Sequence, residues 1–314
     1  MNDHYGRNIV YLRLSVTDLC NYRCEYCMAA DGVPKREHDD VLSIEELAEI
    51  GEAAVRCGVK KIRLTGGEPL VRRGILTLCE KLKALDGLEE LTMTTNGSLL
   101  DDMAADLKAA GVDRLNVSLD TLRPERFRAI TRRGELREVL RGLEAAHIAG
   151  FANTKINVVL MGGVNDDEIA DFVDLTRDSD WSVRFIELMP VGVCAAFPKE
   201  RFLSADAALV AVPELEPAGG DGVAELYRVP GCRGTVGLIR PMTRCFCASC
   251  DRIRVTADGK LKPCLHSGAE IPLRGLHGVA LEEAIRSAVY AKPERHHLIQ
   301  SGSDTPRTMN QIGG

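Results

Sequence analysis

No run of apolar residues in this 314-residue chain approaches the length needed to span a bilayer. None follows the basic start that a secretion signal would show, since the chain opens Met1-Asn2-Asp3-His4-Tyr5-Gly6-Arg7. The expectation is a soluble, cytoplasmic protein with no membrane partner. An excess of positive charge is missing as well: 40 Lys and Arg face 46 Asp and Glu, a net charge of −6. That balance gives no general attraction to nucleic acid, so an anionic ligand must be met by a local group of arginines. A disulfide framework is also unexpected, because the eleven cysteines are an odd number and a reducing compartment keeps thiols free. Disorder does not fit 45% hydrophobic and 27% charged residues. The length suits one large barrel-type domain or two ordinary ones.

Six of the cysteines fall in two tight clusters and read as ligands of metal or iron–sulfur groups. Cys57, Cys79, Cys194, Cys232 and Cys245 remain. Cys57 and Cys79 lie inside helix-like patterns, where a small buried hydrophobe is the simple reading.

From residue 11 to about 188, short β-branched runs alternate with helical patterns, the signature of βα units around a parallel sheet. Six strands are expected: Leu12–Val16, Ile62–Thr65, Glu90–Thr94, Arg114–Leu119, Lys155–Leu160 and Val183–Leu188. Ser43 with Glu46 makes a capping box ahead of Leu47, Ile50, Ala54 and Val55, and Pro124 suits the first turn of a later helix. Six units are fewer than the eight that close a barrel. The fold class is therefore α/β, an incomplete (βα)6 barrel over residues 1–189. Residues 190–314, irregular and rich in Gly and Pro, are expected to cover the barrel mouth. Pro213–Gly222 reads as a surface loop. Ligands of such barrels gather at the C-terminal ends of the strands.

After the first strand the chain reads Cys20-Asn21-Tyr22-Arg23-Cys24-Glu25-Tyr26-Cys27. Three thiolates at C-x3-C-x2-C spacing can hold three irons of a [4Fe–4S] cube and leave the fourth iron open to a substrate. A structural zinc site would need a fourth ligand, and none lies at a usual spacing nearby. Thr65-Gly66-Gly67-Glu68-Pro69 follows the second strand, and glycines there allow a close backbone approach. The triplet, with an aromatic residue before its last Cys at the end of a first barrel strand, resembles the radical S-adenosylmethionine (SAM) superfamily. That resemblance implies that the open iron chelates SAM, and that reductive cleavage releases methionine and a 5′-deoxyadenosyl radical. It also implies SAM contacts at Tyr26, Gly67, Ser118 and Met189.

Downstream stand Cys247, Cys250 and Cys264, again three thiolates able to hold a cube with one open iron. A zinc ribbon with Cys245 or His266 as fourth ligand is the rival that spacing leaves open. The wider strings are Phe246-Cys247-x-x-Cys250-x-Arg252-x-Arg254 and Thr256-Ala257-Asp258-Gly259-Lys260-Leu261-Lys262-x-Cys264-Leu265, with terminal Gly313-Gly314. Together with Thr94-Thr95-Asn96-Gly97, Lys155-Ile156-Asn157-Val158 and Arg184-Phe185-Ile186-Glu187-Leu188-Met189, they resemble the GTP 3′,8-cyclase family of molybdenum-cofactor biosynthesis from about residue 7 to residue 314.

This second resemblance implies two [4Fe–4S] clusters, with the second contacting guanine, and no catalytic side chain beyond the cluster-generated radical. GTP contacts are expected at Arg13, Arg63, Thr94, Lys155, Arg252 and Arg254, whose charges suit a triphosphate. It implies a tail, Gly313-Gly314, that reaches the active site, and a homodimer with an external electron donor. Product would pass to cyclic pyranopterin monophosphate synthase. One departure is Met28-Ala29-Ala30, where the family often has a proline. The alternatives are a peptide-modifying radical enzyme and a non-catalytic, zinc-stabilised binding protein.

Overall fold

Polar and apolar residues alternate along six strands: β1 (Tyr11–Ser15), β2 (Lys61–Thr65), β3 (Glu90–Thr95), β4 (Arg114–Ser118), β5 (Lys155–Leu160) and β6 (Ser182–Glu187). Successive side chains of a strand point to opposite faces, so this alternation makes one face apolar and the other polar. The apolar face packs under the helices. Leu12, Leu14, Ile62, Leu64, Leu91, Met93, Leu115, Val117, Ile156 and Val158 are each at most 1% exposed. The polar face turns into the barrel.

The computed structural model describes residues 1–33, 37 and 40–313. Helices α1 (Ile44–Arg56), α2 (Ile75–Lys83), α3 (Leu100–Ala109), α4 (Pro124–Thr131), α5 (Leu136–Ile148) and α6 (Ile169–Asp174) connect the strands. The expected capping box starts α1: the Glu46 amide donates to Ser43 Oγ at 3.1 Å, and the Ser43 amide donates to Glu46 Oε2 at 2.7 Å. Pro124 is the first residue of α4, where a missing N–H costs nothing. Cys57 and Cys79 are buried, as their helical settings implied.

The six strands run parallel in sequence order, and each expected strand lies within one residue of the observed one at either end. The region after residue 190 is more regular than its composition suggests. It adds β7 (Glu216–Asp221), β8 (Ala224–Arg228), β9 (Thr235–Ile239), β10 (Arg252–Val255), β11 (Lys260–Lys262) and β12 (Ile271–Pro272). Strand β9 pairs parallel with β6 and β10 pairs parallel with β1, so eight parallel strands lie side by side. Antiparallel β8 and β7 extend one edge, and β11 and β12 the other.

The expectation of a loop over Pro213–Gly222 is corrected: from Glu216 it is strand β7, hydrogen-bonded to β8. Gly and Pro are tolerated there because β7 is an edge strand with one side unpaired. Among the described residues no helix is long and apolar enough to cross a membrane.

Candidate active site

The loop that carries the first triplet leaves β1 and lies over the strand ends. Amides of Arg23 and Glu25 donate to the carbonyls of Thr131 and Ile130, both at 2.9 Å, which anchors it to the end of α4. Cys20 Sγ accepts from the Tyr22 amide at 3.3 Å and from Asn96 Nδ2 at 3.9 Å. Burial, then the neighbouring Glu68 carboxylate, pushes the Cys20 thiol up to about 11. Burial, then Cys20, pushes Cys27 up to about 12. Cys24 moves the same way through burial and Cys27. Three clustered thiols that resist ionisation become ligands only when positive charge is placed among them. The donor set fits an iron–sulfur cluster bound at Cys20, Cys24 and Cys27.

Gly66 and Gly67 make their close approach to the chain itself. A Cβ on Gly67 would lie 2.2 Å from the Leu19 carbonyl oxygen, and one on Gly66, whose φ is +151°, 2.4 Å from that of Thr17. The Gly67 and Glu68 amides donate to those two carbonyls, Thr17 O at 2.7 Å and Leu19 O at 2.9 Å. Thus the two glycines dock the turn onto the segment immediately before Cys20. Glu68, 1% exposed, accepts from Thr95 Oγ1 at 2.7 Å, the Asn96 amide at 2.6 Å and the Leu70 amide at 3.1 Å. Burial raises its carboxyl to about 7 against those bonds. Asn96 in turn reaches Asn21 Oδ1 at 2.8 Å, so the first three strand ends are tied together around Cys20.

Tyr26 Oη donates to Asp120 Oδ2 at 2.7 Å, and Asp120 Oδ1 accepts from the Val159 amide at 2.8 Å. Burial lifts the Asp120 carboxyl to about 6. Ser118, Gly67 and Met189 line the same space.

Both cysteine triplets open onto one cavity of about 420 Å³, with Cys20, Cys24 and Cys27 and with Cys247, Cys250 and Cys264 in its lining. Between them the polar strand faces supply basic groups. Pairing places Arg13 opposite both Arg63 and Arg254, and Asn116 opposite Lys155. Arg63 Nη1 donates to Thr94 Oγ1 at 3.3 Å. The Tyr11 ring sits among Lys61 Nζ at 5.2 Å, Arg252 Cζ at 5.4 Å and Arg63 Cζ at 5.6 Å from its centroid. Burial and then Arg254 hold the Arg13 guanidinium well below its usual value, while burial and then Arg252 bring Arg254 down to about 10. Such crowding of buried like charges favours occupation by a polyanion.

All six expected GTP contacts and all four expected SAM contacts line this cavity. Tyr11, Lys61, Asn116, Asp120, Asn157 and Arg184 line it too and were not anticipated. Except for Asp120, each is on the polar face of its strand, so the period-two alternation was the signal that could have found them.

The tail reaches the same place. Gly313 O accepts from Arg13 Nη2 at 2.9 Å and Arg254 Nη1 at 2.7 Å, and Asn310 Nδ2 donates to Asp18 O at 3.1 Å. A Cβ on Gly313, whose φ is +67°, would meet Thr65 Cγ2 at 2.7 Å. Gly314 lies outside the described residues.

Around the second triplet, buried Arg7 donates to the Cys247 carbonyl at 2.9 Å while paired to Asp3. Exposed Cys245 has its Sγ 3.0 Å from Cys247 Sγ and 3.6 Å from His296 Nε2. His266, the other candidate fourth ligand, is buried 4.7 Å from the His296 ring, and burial and then His296 hold it down near about 3.

The model of the Radical SAM superfamily matches residues 14–176, and that of Molybdenum Cofactor Synthesis C matches residues 181–298. The fold and site thus define a radical SAM protein with a second, cysteine-bearing module. A GTP 3′,8-cyclase of Peptoclostridium acidaminophilum is 50% identical over 323 residues, 99% of this chain and 98% of that one. One from Geobacter sulfurreducens is 47% identical, covering 99% of both. In fold, the chain is similar to Streptococcus suis SuiB in its crystal structure bound to precursor peptide SuiA. The TM-score is 0.61 at 15% identity, with 92% of this chain and 66% of that one covered. The chain belongs to the GTP 3′,8-cyclase family of the radical SAM superfamily.

Proposed function

We propose that this cavity is the chamber in which the chain converts GTP to (8S)-3′,8-cyclo-7,8-dihydroguanosine 5′-triphosphate, the first step of molybdenum-cofactor biosynthesis. The observation that carries this reading is the meeting of two cysteine triplets and a basic cluster in one cavity. When bound, the first cluster supplies the electron that cleaves SAM, and the second offers an iron with an open position to the guanine base.

The chain's own part is placement. Cys20, Cys24 and Cys27 hold the first cluster; Cys247, Cys250 and Cys264 hold the second. Tyr26, fixed through Asp120, bounds the SAM site with Gly67, Ser118 and Met189. Arg13, Arg63, Thr94, Lys155, Arg252 and Arg254 bind GTP, joined by Arg184 on the same cavity wall. Guanidinium forks fixed on the inward face of the strands hold the phosphates, so the ribose and base are presented between the triplets with few competing orientations. The tail carbonyl of Gly313 accepts from Arg13 and Arg254 and so orders both guanidinium groups.

Residues 1–189 act as a six-stranded part of the barrel, and residues 190–314 extend its wall through β9 and β10 and carry the second triplet to its mouth. The enzyme works in the cytoplasm as a homodimer, takes electrons from an external donor and passes product to cyclic pyranopterin monophosphate synthase. Anaerobically reconstituted protein given dithionite, SAM and GTP yields deoxyadenosine and the cyclised nucleotide. Deoxyadenosine without a product derived from GTP would remove the substrate assignment.

A further inference from the structure

The hairpin of β7 and β8 reaches the cavity from the sheet edge beyond β9. At its tip Asp221 Oδ2 is bonded to Lys155 Nζ and, at 2.6 Å, to Arg184 Nη2. The two cations are buried, with side chains 7% and 5% exposed, whereas the carboxylate is 38% exposed. The ion pair therefore joins a fixed basic wall to a peripheral arm. Next to Asp221, Gly222 lies near Arg252 on β10, where an added Cβ would be 3.8 Å from Arg252 Nη2. The tip thus stretches from β5 and β6 toward the other flank of the cavity, which Asp221, Gly222 and Val223 help to line.

The outer strand β7 and the tip of the arm are lightly held, while β8 stays paired with β9. Glu216 to Gly220 are exposed, the β7–β8 register slips between Pro217 and Gly219, and Gly219 and Gly222 have φ of +97° and +64°. An edge strand of this kind opens at less cost than the core strands.

We propose that Asp221 is a resident counter-anion for the phosphate site: its carboxylate holds the β7–β8 arm across the cavity until substrate phosphate takes over Lys155 and Arg184 and releases the arm. This deepens the reading that the cavity binds GTP and rests on it. A carboxylate oxygen and a phosphate oxygen ask for the same donors on Lys155 and Arg184, so the two compete. Competition is confined to phosphate, because the base and ribose do not contest those donors. Removing the carboxylate then strengthens GTP and inorganic triphosphate alike.

The test is equilibrium binding of GTP and, separately, of inorganic triphosphate to the reconstituted full chain, as wild type, Asp221→Ala, Asp221→Glu and Arg184→Ala. The expected result is a gain on the order of tenfold for both ligands in Asp221→Ala. Asp221→Glu stays near wild type, and hydrogen exchange at residues 217–228 is faster in ligand-free Asp221→Ala than in wild type. Iron content equal to wild type shows that the variants are folded. Weaker or unchanged triphosphate binding by Asp221→Ala, with wild type binding both ligands, overturns the counter-anion role alone. A gain for GTP but not for triphosphate also overturns it, since that would place Asp221 against the nucleoside. Wild type that binds neither ligand, or Arg184→Ala that binds as wild type does, overturns the phosphate-site reading and this proposal with it.

Discussion

Changing pH around Lys155 tests the phosphate site through a single titrating group. Burial, and then the neighbouring Arg184, push the Lys155 ammonium down to about 7 in the ligand-free protein, with Asp221 only partly offsetting them. A bound triphosphate favours the charged form and raises this value toward the ordinary lysine range near about 10.4. The folded, ligand-bound pKa is thus above the ligand-free one. Affinity is fully present below about pH 7 and is lost as pH rises, because binding must then include uptake of a proton. Each pH unit above that point corresponds to about 1.36 kcal/mol, or about tenfold in affinity.

Between about pH 7.5 and 9 the phosphates of GTP are already ionised and do not contribute to the slope. Across that window GTP affinity should fall by about twentyfold. The assay is isothermal titration calorimetry on wild type and Lys155→Arg in two buffers of different ionisation enthalpy, which reads the proton uptake directly. Arginine keeps its charge throughout, so the Lys155→Arg curve should be flat. A flat wild-type curve, or an equal slope in Lys155→Arg, would show that Lys155 is not the group that answers the phosphate.

Cys247→Ala should lose half the iron and acid-labile sulfide of anaerobic protein, whereas Cys245→Ser should keep all of it; iron loss in Cys245→Ser would make that exposed thiol a ligand. Removing Gly313 and Gly314 should leave both clusters assembled, seen as unchanged visible absorption, while cyclised nucleotide falls at least tenfold; equal turnover refutes the tail's role. Gly67→Ala forces a Cβ to 2.2 Å from the Leu19 carbonyl and should displace the Cys20 loop. Reconstitution would then give less than half the wild-type iron at the first site, with the second retained, as electron paramagnetic resonance can distinguish. Leu64→Ala, from a fully buried position beneath the helices, should cost about 2–5 kcal/mol in denaturant unfolding.

Local chemistry makes much of this protein legible in its residue order alone. The triplet at Cys20, Cys24 and Cys27 is contained in eight residues, and ligand spacing over so short a span needs no tertiary information. The six barrel strands and the Ser43–Glu46 cap are likewise local patterns, and they lie where residue order puts them. The second triplet is legible through its resemblance to a family more than through spacing, since Cys264 stands far along the chain from Cys250.

Long-range pairing decided the remainder. Nothing local in Arg252-Ile253-Arg254-Val255 says that it will pair parallel to β1 and bring two arginines beside Arg13 and Arg63. Nor does the Gly- and Pro-rich run before Val223 reveal that Asp221 will close on Lys155 and Arg184, because its contact with Lys155 joins segments 66 residues apart. Lys61, Asn157 and Arg184 are ordinary strand polars in the sequence, and curvature of the sheet is what turns one face of every strand inward. Sequence sets which side chains can bind iron, phosphate or a neighbour's carbonyl; only the closing of the sheet, driven by burial of its apolar face, brings two distant triplets to one cavity.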